Sequence, residues 1–122
     1  MTLGEYQNKA IKTATPVRSL SQQLADGAMG LCGKSGDAAD LIRKTITDGH
    51  IITREEVAKN LGGVLWYVAI IATTCGLSLN AVAHQSLLDR DQEKTKRIQE
   101  LDHMKDNKRA TYEPYLFDKW DM

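Results

Sequence analysis

The segment Thr53-Arg54-Glu55-Glu56-Val57-Ala58-Lys59-Asn60-Leu61-Gly62-Gly63-Val64-Leu65-Trp66-Tyr67-Val68-Ala69-Ile70-Ile71-Ala72-Thr73-Thr74-Cys75-Gly76 opens on a helix start and closes on a helix stop. Thr53 offers a side-chain oxygen to the first unpaired amides, and Glu56 follows three residues later, the spacing of a capping box. Gly76 tolerates the left-handed backbone at which many helices end. Between them Val57, Leu61, Val64, Leu65 and Val68 recur on one helical face, after which the segment is apolar all round. That pattern predicts the central helix of a bundle. The apolar run from Val64 to Leu79 is interrupted by Thr73, Thr74 and Gly76. It is also shorter than the roughly 18 apolar residues expected of a membrane-spanning helix, so a buried core helix is expected and a membrane partner is not.

Helix signals continue on both sides. Ser78 is placed to cap a fourth helix carrying Leu79, Val82, Ala83, Leu87 and Leu88, which grades into the charged stretch from Asp89 to Arg109. The alternating charges there predict a solvated helix. Upstream, Gly49-His50 closes a second helix that begins near Ser19 and carries Leu24, Met29, Leu31, Cys32, Leu41, Ile42 and Ile46. Thr2 caps a first helix with Tyr6, Ala10 and Ile11, bounded by Pro16. Tyr112, Tyr115, Phe117 and Trp120 form an aromatic tail around Pro114, expected to fold back on the bundle. Neither β-alternation nor an internal repeat is visible. The expected fold is all-α, a bundle of four to five helices over residues 1–90, completed by oligomerisation, with a charged extension and tail over 91–122.

A length of 122 residues fits one domain with a modest core. Lysine plus arginine and aspartate plus glutamate each total 16, so no basic excess points to nucleic acid. The two cysteines, Cys32 and Cys75, lie among apolar or small residues, as in a reduced cytoplasmic protein. Met1 to Lys12 holds Glu5, Lys9 and Lys12 and offers no apolar signal-peptide core.

Gly30-Leu31-Cys32-Gly33-Lys34-Ser35-Gly36-Asp37-Ala38-Ala39-Asp40-Leu41-Ile42, followed by Asn60-Leu61-Gly62-Gly63-Val64-Leu65-Trp66-Tyr67, resembles the MazG-like nucleotide pyrophosphohydrolases. Glu5-Tyr6-Gln7 and Gly76-Leu77-Ser78-Leu79 fit the same pattern, so that the resemblance spans residues 2 to 90. It implies a helical bundle in which a Glu-x-x-Glu on one helix and a Glu-x-x-Asp on the next hold magnesium and a nucleoside triphosphate. Residues three apart share a helical face, so two such pairs on facing helices can converge on one hard cation. Water activated at that ion attacks a phosphate.

Matched position by position, the first pair falls on Lys34 and Asp37 and the second on Asn60 and Gly63. One positive, one negative and two neutral residues stand where the resemblance implies four carboxylates. On the fourth helix, Ser86 and Asp89 stand where the family often has an asparagine and a lysine for the nucleotide. The expectation is therefore a MazG-like protein without efficient hydrolysis, binding a nucleotide or acting as a regulatory subunit, with no cofactor required. Lys34, Asp37, Asn60, Trp66 and Ser86 are its candidate substrate-binding residues, with the Lys34 ammonium replacing metal charge. It is expected to form homodimers or homotetramers.

Two alternatives stand beside it. In the first, Asp37, Asp40 and Glu56 form a rearranged magnesium site and the protein is an active pyrophosphohydrolase; against it, Asp40 suits a solvated surface and Glu56 suits the capping box. In the second, the chain is a structural subunit or interaction module. Gly33-Lys34-Ser35 resembles the end of a phosphate-binding P-loop, yet Ala28 stands in place of its first glycine and the preceding residues read as helix. Gly30, Gly33 and Gly36 are better read as small residues that let helices or a ligand approach. Trp66 and Tyr67 suit either core packing or stacking on a base. His50, His84 and His103 have no spacing partner for a metal.

Overall fold

The structure, a computed structural model, describes the backbone of residues 1–15 and 19–120 and the side chains of 1–15 and 19–105. These residues form four α-helices and no strand: α1 (Leu3–Lys12), α2 (Leu20–Thr47), α3 (Arg54–Thr74) and α4 (Leu79–Trp120). The fold is all-α, as the periodicity predicts. Two compact units divide it, Met1–Val82 and Ala83–Met122. The first holds α1, α2, α3 and the opening turn of α4; the second holds the rest of α4.

Three helix starts coincide with the caps read from the sequence, Thr2, Thr53 and Ser78, and the fourth with Ser19, near which the second helix is expected to begin. Thr2 Oγ1 accepts from the Glu5 amide at 3.1 Å, Ser19 Oγ from Gln22 at 3.2 Å, Thr53 Oγ1 from Glu56 at 3.1 Å and Ser78 Oγ from Ala81 at 3.0 Å. Each such cap is worth about 1 kcal/mol because it satisfies an amide that the helix leaves unpaired. The stops are equally local. Gly76 has φ +72°, and the Leu77 amide turns back to the Ala72 carbonyl at 2.8 Å, closing α3. Gly49, at φ +69°, ends α2 in the same way, with the His50 amide reaching the Lys44 carbonyl at 3.2 Å.

In the first unit α2 and α1 both pack on α3. Gly27 of α2 abuts Ile71, Gly30 abuts Tyr67, and the Lys34 stem lies across Gly63. One number rises as the other falls, so α2 and α3 run antiparallel. Ala10, Ala69 and Leu79 form the buried centre, with Tyr6, Trp66 and Val68 packed against it. Gln7 ties three helices together: its Nε2 donates to Thr73 Oγ1 and to the Leu77 carbonyl, both at 2.9 Å, and its Oε1 accepts from the Leu79 amide at 2.8 Å. Those two backbone groups lie at the α3–α4 corner, where no helix can pair them, so one side chain closes the turn.

The expected deep burial of α3 is not found. Among the described residues only Ala69 and Ala72 of that helix are fully buried, and Leu61 and Leu65, which the periodicity assigns to the inner face, point outward. By length and composition α3 is apolar enough to cross a membrane, yet only 11% of its apolar window is buried. The physical reason is geometric: helices on two sides cannot cover one that is apolar all round. On α2, Met29 and Ile46 are likewise exposed, at 74% and 77%.

The second unit carries the solvated helix expected from the alternating charges. Arg90 pairs with Glu93 at 2.9 Å and Gln85 donates to Asp89 at 2.8 Å, both within one helical turn. The α4 backbone continues to Trp120, and the fold-back expected of the aromatic tail falls on side chains outside the described residues.

Candidate functional site

The antiparallel register brings the residues matched to the metal-binding pattern onto one seam. Lys34 of α2 and Gly63 of α3 are in contact: a Cβ built on Gly63 would lie 3.0 Å from Lys34 Cδ and 3.4 Å from both Cγ and Cε. The alkyl stem of Lys34 thus fills the room that a side chain at residue 63 would take. The same register carries Asp37 level with Asn60. Asn60 is turned back on its own helix, its Nδ2 donating to the Glu56 carbonyl at 2.8 Å. No ion pair joins Lys34 to Asp37 among the described residues, so the ammonium and the carboxylate both face solvent.

These residues do not fit magnesium. A hard divalent cation needs several convergent oxygens, preferably anionic. The seam instead presents an ammonium, a glycine without a side chain, an amide already bonded to backbone and a single carboxylate. The rearranged set of Asp37, Asp40 and Glu56 does not assemble either, since among the described residues no three such groups come within reach of one ion. The cause is local. Asp40 is held by Arg43, whose Nε and Nη2 each approach Oδ1 at 3.0 Å, and by Lys44 at 3.3 Å. Hydrogen bonds from Arg43 first and Lys44 second lower its pKa below the ordinary 3.8. These pairs persist until the pH falls through that lowered value; in open solvent they add little to stability. Glu56 sits in the first turn of α3, its amide donating to the capping Thr53 Oγ1 at 3.1 Å, which is the Thr53 half of the expected capping box.

Ser86 belongs to the second unit, where its hydroxyl donates to the Ala83 carbonyl at 2.7 Å. The three histidines are exposed, and Cys32 and Cys75 are free and exposed. Of the three glycines read as permitting close approach, only Gly30 does so: a methyl there would overlap the Tyr67 ring, whereas Gly33 and Gly36 have open space around them. Gly27, which abuts Ile71, is a further close contact of this kind on α2, and nothing in its local sequence sets it apart.

A cleft of about 320 Å³ opens between α1, α2 and α3, lined by Ile11, Gln23, Asp26, Gly27, Trp66 and Tyr67 among others. Trp66 is fixed at its edge. Its indole Nε1 donates to Thr13 Oγ1 at 2.8 Å, and Thr13 Oγ1 donates onward to the Ala10 carbonyl at 2.7 Å. Its ring meets Tyr67 edge-to-face, centroids 5.0 Å apart at 88°. Trp66 packs against the core, as one of its two readings expects, and also lines this cleft. Gln23 and Asp26 were not foreseen as site residues. The available signal was the placement of Gln23, Asp26 and Gly27 at i, i+3 and i+4, which puts them on one helical face.

The chain is similar to the Gene 37 protein of Mycobacterium phage L5, with 35% identity over 63 residues, 48% of this chain and 55% of that protein. The chain therefore spans about half the length of this curated relative. No family profile and no solved structure matches it.

Proposed function

We propose that the chain is a MazG-like helical protein that has exchanged metal-dependent hydrolysis for metal-free binding of a nucleotide phosphate, with Lys34 as the anchoring cation. The observation that carries this is the fit of Lys34 to Gly63: the stem is laid along the α2–α3 seam, and among the described residues its exposed ammonium makes no ion pair. An ammonium held this way meets a phosphate as a point charge without a bridging ion. Asp37 and Asn60, level with each other on the same seam, are its nearest polar company from the matched set. Such a protein acts by holding or sensing a nucleotide, as a regulatory subunit does.

Titration calorimetry with deoxynucleoside triphosphates in the presence of a chelator tests this. Binding is expected without metal. Lys34→Met, which keeps the stem over Gly63 and removes the charge, should weaken it about tenfold, roughly 1.4 kcal/mol. Metal-dependent release of pyrophosphate from standard or modified deoxynucleoside triphosphates overturns it.

Self-association is favoured by a separate observation. Ala25, Met29, Cys32, Gly36 and Ala39 of α2 repeat at alternating four- and three-residue steps, and all are exposed, as is Leu61 of α3 at 54%. Small residues at that spacing let a helix of a second copy approach closely, and covering the apolar residues supplies the drive. Cys32 lies on this face and Cys75 lies off it, at the α3 end. The alkylation rate of Cys32 should fall several-fold as protein concentration rises from nanomolar to tens of micromolar, with that of Cys75 unchanged. Equal rates at all concentrations, with a monomeric mass by light scattering, exclude it.

A further inference from the structure

We propose that the cleft between α1, α2 and α3 is a binding site for a planar purine that presents two adjacent N–H donors, the guanine type, with Asp26 as the recognising group. Its link to a nucleotide rests on the phosphate reading of Lys34. The cleft itself is a separate feature, formed with α1, on which the phosphate seam does not draw.

The chemistry follows from what lines it. Trp66 and Tyr67, whose rings stand at right angles, line it together with the aliphatic Ile11 and Ile70. This surface suits a flat aromatic ligand. At about 320 Å³ the cleft is near the lower limit of ligand pockets, roughly 300 Å³, so one fused ring system fits and a large ligand does not. Gly27, at the cleft's α2 wall, lets α2 approach α3 at Ile71. The polar groups are few. Gln23 and Asp26 arise from one face of α2, and neither side chain is engaged in a hydrogen bond or ion pair among the described residues. A carboxylate only accepts, and its two oxygens take two parallel N–H donors. Guanine offers that pair in its ring N1–H and exocyclic amino group; adenine and cytosine offer no such adjacent pair, and uracil offers one N–H. The Gln23 amide supplies a donor for the neighbouring carbonyl oxygen of the base. Along α2, Asp26 precedes Lys34 by just over two turns, about 12 Å at the helical rise, a separation comparable to that between base and terminal phosphates in a nucleoside triphosphate.

The test uses nucleosides, which carry no phosphate and so report on this cleft apart from Lys34. The probe is the Trp66 indole N–H resonance, assigned by its loss in Trp66→Phe and followed in the full chain titrated with guanosine, inosine, adenosine and uridine. Guanosine should shift it saturably and bind about tenfold tighter than inosine, which lacks the exocyclic amine. In Asp26→Asn the side-chain amide donates where guanine also donates, so guanosine should weaken about tenfold. Xanthosine, with a carbonyl in place of the amine, should overtake it. Asp26 is exposed and its side chain has no partner among the described residues, so the exchange is not expected to disturb folding. Equal shifts from all nucleosides, no shift from any, or an unchanged order in Asp26→Asn overturns the assignment. Tripolyphosphate, titrated in parallel against wild type and Lys34→Met, reports on the phosphate reading alone, so failure of either is separable from failure of the other.

Discussion

Gly30→Val should lower the stability of the first unit by about 2 kcal/mol, although helix propensity taken alone favours the change. Glycine inside a helix is about 1 kcal/mol worse than alanine and still slightly worse than valine. Against that gain stands the Tyr67 ring, whose Cε1 and Cζ occupy the volume any side chain at residue 30 needs. The ring cannot swing freely, because its edge-to-face contact with Trp66 and the Trp66 hydrogen bond to Thr13 hold it from the α1 side. Overpacking of this kind costs about 1–3 kcal/mol or more, so the steric term wins. Gly33→Ala is the control: nothing lies within 4 Å of its added methyl, and it should gain about 0.5–1 kcal/mol in dilute solution. Urea denaturation of both variants, with Gly30→Val repeated in a Tyr67→Ala background, separates the causes. The double variant should recover part of the loss, since each change opens or fills the same volume. If Gly30→Val proves as stable as Gly33→Ala, the α2–α3 seam does not pack as described.

That contrast marks where the sequence stops being legible. The helix ends could be read because each signal is local: Thr2, Ser19, Thr53 and Ser78 bond amides three residues on, and Gly49 and Gly76 take up the positive φ that ends a helix. Which glycines matter could not be read in the same way. Gly30, Gly33 and Gly36 look equivalent along the chain, but the rotational phase of α2 on α3 sends Gly27 and Gly30 into the seam and leaves the other two in the open. The Gln7 tie is invisible for a related reason, since its partners lie 66 to 72 residues away. Leu61 and Leu65 obey the helical period yet face outward, because periodicity identifies a stripe and says nothing about whether a neighbour exists to cover it. For the candidate site, the resemblance matched Lys34 to one pair of positions and Gly63 to the other, but only the antiparallel register reveals that one fills the space of the other. Asp26 and Gln23 carry no motif at all, and their interest arises only once α1 and Trp66 close a cleft around them.

Placing carboxylates at the matched positions, as Lys34→Glu with Asn60→Glu and Gly63→Asp, should create divalent-ion binding where the unaltered chain is expected to have almost none. Together with Asp37 the seam then holds four carboxylates on two facing helices, the arrangement a hard cation requires. Two opposing effects set the outcome. Without metal, four like charges on adjacent turns repel, so the variant should unfold more easily than the parent chain. With manganese or magnesium at a hundredfold excess over Kd, binding to the folded state returns about 2.7 kcal/mol, which appears as a metal-dependent rise in Tm of roughly 10 °C or more. The order of substitution matters as well. Gly63→Asp made alone forces a side chain into the Lys34 stem, at 3.0 Å from Cδ, and should be more damaging than the same change made after Lys34→Glu has shortened the neighbour. This non-additivity belongs to the contact itself and holds whatever the metal does. If the coupling is found and no divalent ion binds the triple variant, the seam is packed as described but residues 34, 37, 60 and 63 do not converge on a common point. The likeness to the pyrophosphohydrolases then reaches no further than the helices.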